Sequence, residues 1–273
     1  MVRAELLKLS TLPAPRIAIA IGAAGLALTQ LLFVTLIPAL ASGAIGPGVE
    51  ELGEDLPVVD LASRAAQLGA LDPLGGSSGA GSIGVAVIAI ALLGVLAGTS
   101  DLRSGGIASA LIAQPRRGRL LASKAAAVAV AGAVAGLVYA LVSGLALAGS
   151  LAILRTPLVL GPLDVIATLG RGIGAIACLA VIGLAVGLIA RRGVAGVLAM
   201  LGILFLEPII QSAAQLIVGE LPAWAQVLPL ALARATIGAA PGLLPPAVAG
   251  AALLALTALA LGIATAVLRR RDV

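Results

Sequence analysis

The sequence predicts an all-α membrane protein with six transmembrane helices, and three observations carry that expectation. Hydrophobic residues fill 61% of the 273 positions, charged residues 11%, and the mean hydropathy is +1.19, far outside the range of a soluble domain. The apolar runs exceed the roughly 18 to 20 residues a helix needs to cross a hydrocarbon core about 30 Å thick. They are continuous where barrel strands would alternate, and lipid leaves only helices able to satisfy the backbone of such runs.

The first run, 17–40, follows a basic N-terminus. "ALAS" at 39–42 has the form of a signal-peptidase site. A run beginning at Ile17 is nevertheless too long for an h-region of about 7 to 15 residues, so it reads as a retained span. Residues 41–80, rich in Gly, Pro, Ser and acids, form the largest external loop, with a short helix near 58–69 and no separate soluble domain. Further spans fall at 81–99, 125–149, 172–190, 193–218 and 246–268, so 1–273 is a single transmembrane domain. Within the fifth, the 14 residues from Gly193 to Leu206 cover about 21 Å, short of the core thickness. Glu207 then precedes Pro208, which lacks a backbone donor and suits the first turn of a new helix, where a preceding Glu meets the positive helix end. A break is expected there, with Pro222 and Pro229 punctuating re-entrant or interfacial external helices and Glu207 at an outer gate. One kinked span through Val218 is the alternative.

Six spans put both termini on one side, and the basic residues choose it. Arg3, Lys8, Arg16, Arg103, Arg116, Arg117, Arg119, Lys124, Arg191, Arg192, Arg269, Arg270 and Arg271 share one face, against Arg64, Arg155, Arg171 and Arg234 on the other. Thirteen against four follows the positive-inside rule with cytoplasmic termini, a multi-pass protein of a bacterial plasma membrane. Eight acids lean the other way: Glu50, Glu51, Glu54, Asp55, Asp60, Asp72, Asp164 and Glu220.

Several chemistries are excluded. Histidine is absent, which removes the usual base near neutral pH and the commonest metal ligand. The single cysteine, Cys178, can form no internal disulfide. "GGSSG" at 75–79 fits a serine-nucleophile pattern, but that chemistry relies on a histidine. "GRGIGA" at 170–175 matches a dinucleotide pattern but begins a membrane helix where the motif requires a preceding strand. Neither lysine, Lys8 or Lys124, follows a glycine, so the chain has no Walker A loop. Small-xxx-small pairs at Gly94/Gly98, Gly132/Gly136 and Gly183/Gly187 permit close helix approach. With 35 glycines, about four or five such pairs arise by chance, so no single pair identifies a dimer face.

Charge gathers in "SDLRSGGIASALIAQPRRGRLLASK", residues 100–124. "GGIASALIA" at 105–113 can form a short helix with Ile107, Leu111 and Ile112 near one face, stopped by Gln114 before Pro115. The arginines alone would serve as a headgroup anchor, but an apolar face in a cytoplasmic loop needs membrane or protein to cover it.

This stretch resembles the cytoplasmic loop of type-2 ATP-binding-cassette (ABC) exporter permeases, with Asp101 and Gly106 where that family more often has Glu and Thr. "RAELLKLST" resembles the family's amphipathic N-terminal elbow helix, and "LEPIIQ" and "LPAWAQVLP" its fifth span and following external segment. The resemblance implies a permease that dimerises, as a homodimer, and binds two copies of a separate ATPase. ATP and Mg would reside on that partner, with no cofactor, catalytic residue, metal or nucleic acid on this chain. The coupling helix between spans two and three would meet the ATPase through Asp101, Leu102, Arg103, Ile107, Leu111, Pro115, Arg116 and Arg117. Thr29, Gln30, Glu207 and Gln211 are polar residues in apolar runs and candidates for a substrate path, although each could bond a neighbouring helix. The competing classes are an ion- or proton-coupled secondary transporter, resting on Glu207 as an intramembrane acid, and a membrane-embedded enzyme.

Overall fold

A computed structural model describes residues 2–43, 60–75, 83–103, 117–239 and 244–270, and among these it is helical with no strand. In chain order the helices are α1 (Val2–Thr11), α2 (Pro13–Gln30), a π-helical stretch (Leu31–Leu36) that leads into α3 (Ile37–Ala41), α4 (Arg64–Ala70), α5 (Val85–Arg103), α6 (Arg117–Leu154), α7 (Pro162–Ala190), α8 (Gly193–Val218), α9 (Ala223–Gln226), α10 (Pro229–Ile237) and α11 (Pro246–Arg270). Among the described residues five stretches are long and apolar enough to cross a membrane: Pro13–Leu40, Gly118–Leu154, Pro162–Ala190, Gly193–Val218 and Pro246–Leu268. In α5 the apolar stretch is the shorter Val85–Ser100.

Two helices outrun their expected spans. The 38 residues of α6 extend about 57 Å and the 29 of α7 about 44 Å, both beyond the hydrocarbon thickness. Hydropathy marks where the chain is compatible with lipid, whereas a helix continues wherever its backbone is satisfied. Arg171 ends the apolar run on the sequence, yet it sits inside α7 with its Nε donating to the Ala167 carbonyl. The true start of α7 is fixed by Pro162 in its first turn and by Asp164, whose carboxylate accepts from the Gly161 N–H. At its other end Arg191 adopts the left-handed conformation (φ 60°), and α8 begins after Arg192.

The expected break at Glu207–Pro208 is absent: α8 runs unbroken through Pro208 to Val218. Proline inside a membrane helix is tolerated where neighbours re-satisfy the backbone. Here the adjoining Glu207 is tied into the bundle. After α8 come α9 and α10 as expected, and α10 is buried along nearly its whole length against α7 and α11.

The centre of the bundle is α5 against α7, packed through glycine on both helices. A Cβ added to Gly94 would collide with the Ala180 carbonyl, one on Gly183 with that of Ala91, and one on Gly98 would lie 2.7 Å from the Leu184 oxygen. The register 91 to 183 and 95 to 187 makes these helices parallel. On the other side Gly132 meets Ala177 and Gly136 meets Ile173, so α6 runs antiparallel to α7. Gly22 and Gly25 of α2 meet Ala89 and Val85, which sets α2 antiparallel to α5. Without Cβ atoms the backbones approach closely, gaining the dispersion that drives association in lipid.

A second apolar cluster lies at one end of the bundle, built from Val34, Leu61, Ala70, Leu71, Leu147, Leu151 and Leu160. It is roofed by α4, whose N-cap Ser63 accepts from the Ala66 N–H. Of the expected helix near 58–69, Arg64–Ala70 is seen; much of the 41–80 loop lies outside the described residues.

Candidate functional site

The basic stretch is divided by the limits of the structure. Asp101, Leu102 and Arg103 form the last turn of α5, and Arg117 opens α6. Ile107, Leu111, Pro115 and Arg116 lie outside the described residues. From Arg117 to Lys124 is about 10 Å of helix. Lys124 itself is only 7% exposed, and its Nζ lies 3.5 Å from the Glu5 carboxylate of α1. That contact docks α1 on α6.

Between α1, α2, α5 and α6 this docking leaves a cavity of about 170 Å³, with Glu5, Lys8, Ser100 and Lys124 in its walls. The Lys8 ammonium is held below its usual pKa, first by burial and then by repulsion from Lys124, with Glu5 acting in the opposite sense.

The four path candidates separate into two structural pairs. Gln30 is buried on α2 and donates to the Ala70 carbonyl at 2.9 Å, fastening α4, while Thr29 donates back to Gly25 of its own helix. Glu207, 3% exposed, accepts from the Leu230 N–H at 3.0 Å and the Ala231 N–H at 2.6 Å. Gln211 donates to Glu207 at 3.4 Å and to the Ala225 carbonyl at 3.2 Å. The first pair lies on α2, which packs on α5 and α6, and the second on α8, which packs on α5 and α7. The α10 N-terminus has no side-chain cap of its own; α8 supplies one across space, and the carboxylate meets the positive end of the α10 dipole.

Sequence reading missed the residue that fastens the α4 end. Gln67 is fully buried, donates to the carbonyls of Leu61 and Pro157 and accepts from the Val159 N–H, each at 2.9 Å. It ties 61–67 to the α6–α7 connection. Nothing in "RAAQLG" distinguishes it from a solvated glutamine, because two of its three partners lie some ninety residues away. Arg64 and Asp164 join the same two segments at the surface, 2.8 Å apart. "GRGIGA" lies inside α7 with no strand before it. Among the described residues no three Cys, Asp or Glu side chains gather as a metal site would need.

Fold and site together define a multi-pass, all-helical membrane protein with glycine-sealed central helices and a basic end. A comparison with protein-family models finds no match for the chain, and a comparison with curated proteins finds none.

Proposed function

We propose that the chain is the membrane-spanning permease subunit of an ABC exporter, moving a substrate out of the cytoplasm with ATP hydrolysed by a separate subunit. The observation that carries this reading is the segment 101–124, whose sequence resembles a coupling loop and which joins α5 to α6 at the basic end. Because α5 is wedged on glycines against α7, a push on its end moves the core. The helix directions support a span at α5: α2 and α6 both run against α7, and α5 runs parallel to α7 between them in the chain. On this reading α1 is the elbow helix, the termini are cytoplasmic and the membrane is the bacterial plasma membrane. Two ATPase copies, holding ATP and Mg, dock on two permease chains, and this chain binds lipid but no nucleotide or nucleic acid.

Co-expression with an ATPase encoded beside it tests the proposal. Ile107→Asp or Leu111→Asp is expected to abolish transport and ATPase co-purification while leaving the permease in the membrane. Unchanged transport and co-purification in both variants would overturn it. The alternative, an ion- or proton-coupled secondary transporter, rests on Glu207, whose carboxylate oxygens accept from two backbone donors.

A further inference from the structure

Helix α5 starts well inside the bundle. In the register that sets residue 91 against 183 and 95 against 187, Val85 is level with residue 177, so α7, which begins at Pro162, extends about 22 Å beyond the start of α5. Chain without helix enters that space. Residues 71–75 follow α4 as turns, yet every residue from Ala70 to Gly75 is buried, Leu74 completely. The Leu74 carbonyl abuts Gly84 just before α5, the Pro73 ring abuts Gly172 of α7, and Gly75 packs beside Leu26 of α2. The Ser143 hydroxyl of α6 lies 3.5 Å from the Asp72 carbonyl. Irregular backbone among membrane helices persists only where protein encloses it or it borders water, and here α2, α6, α7 and the start of α5 enclose it. We propose that Ala70–Gly75 is a removable plug: seated, it closes the bundle at the end away from the basic residues, and it leaves its seat to open an outlet. The opening rests on the exporter reading, whereas the seal does not.

The plug can move as a unit because it meets its own backbone donors. The Leu71 N–H donates to the Gln67 carbonyl, that of Asp72 to Gly69, that of Leu74 to the Asp72 carboxylate at 2.8 Å, and that of Gly75 to the Asp72 carbonyl at 3.1 Å. Pro73 has no N–H. Withdrawal therefore breaks none of these bonds, and it carries the Asp72 carboxylate, 2% exposed when seated, back toward water. Gly75 closes the turn at φ 81°, a conformation that glycine adopts without strain. Gln67 ties α4 to the α6–α7 connection, so α4 is the fixed side from which the turn swings. Gln30 of α2, donating to the Ala70 carbonyl at 2.9 Å, is the latch across to the spans. The seat is cut by glycine on two sides, since a Cβ at Gly84 or Gly172 would collide with the plug.

Cysteine chemistry on the purified full chain in lipid nanodiscs, in a Cys178→Ser background, tests the plug. Ser143→Cys lies against it and Leu179→Cys in the core of α7, both fully buried, while Leu163→Cys is exposed. A maleimide should modify Ser143→Cys more slowly than Leu163→Cys but faster than Leu179→Cys. Gln30→Leu, which keeps the volume and removes the donor, should speed the reaction at Ser143→Cys about fivefold and leave Leu179→Cys unchanged. A Cβ at position 172 would lie 3.8 Å from that of Pro73, a separation found in disulfides, so Pro73→Cys combined with Gly172→Cys should cross-link on oxidation. In the complex with its ATPase the oxidised pair should lower ATP turnover at least about fivefold, the factor of one latch bond, and dithiothreitol should restore it. Ser143→Cys as reactive as Leu163→Cys, or a pair that does not cross-link, would overturn the seal. Ser143→Cys as inert as Leu179→Cys with and without Gln30→Leu would overturn the movement. Unchanged turnover in the oxidised pair would overturn the outlet. If no ATPase joins the chain, the exporter reading and the outlet fall together, whereas the labelling rates still decide whether the plug seals and moves.

Discussion

Glu207 shows how a carboxylate survives among aliphatic side chains. An ionised group leaving water incurs a penalty of several kcal/mol unless its acceptor sites are filled. Here the Leu230 and Ala231 N–H groups fill them, while Gln211 adds a longer contact. Sequence reasoning placed this acid at a positive helix end, and that chemistry holds for a different helix: α10, whose first-turn Leu230 is 23 residues further along the chain. Local pattern could supply the motive but not the partner. Truncation therefore leaves two buried donors unmet. Glu207→Ala is expected to destabilise the detergent-purified protein by roughly 3 kcal/mol and Glu207→Gln, which keeps one acceptor, by roughly 1 kcal/mol. Equal stability of both variants and the wild type in thermal unfolding would remove the capping role.

At the scale of elements, helix existence was legible because long uncharged runs allow nothing else in lipid. The ends were not. Arg171 and Lys124 lie in α7 and α6 although they bound the apolar runs, since a charged residue leaves lipid without leaving the helix. The glycine pairs were visible but could not be ranked, because chance alone supplies several in so glycine-rich a chain. All three pairs pack within the chain, on α5, α6 and α7. This makes helical glycines behave in opposite ways. Gly94→Ala and Gly183→Ala put a methyl group into a backbone carbonyl of the facing helix, and overpacking of that kind costs about 1 to 3 kcal/mol. Gly202→Ala and Gly262→Ala meet nothing within 4 Å and should be neutral or gain up to about 1 kcal/mol from helix propensity. Melting temperatures of the four variants decide it: similar shifts in all of them would mean that the seam is not tight.

Across the whole molecule the helix directions make a claim that composition could only suggest. The basic end gathers α1, the last turn of α5, the start of α6 and the Arg191–Arg192 turn, while α4, the end of α6 and the start of α7 build the opposite end. The Arg64–Asp164 pair there is too exposed to hold that end alone; buried Gln67 and the apolar cluster beneath it do so. Single cysteines in a Cys178→Ser background read out this arrangement. Leu163→Cys replaces a residue 79% exposed near the start of α7, and Arg119→Cys lies on the exposed side of α6 at the basic end. With basic residues retained in the cytoplasm, an impermeant maleimide should label position 163 in intact cells and position 119 only after permeabilisation. Labelling of both from one side would break the helix directions. The reverse pattern would keep the fold and invert its orientation in the membrane.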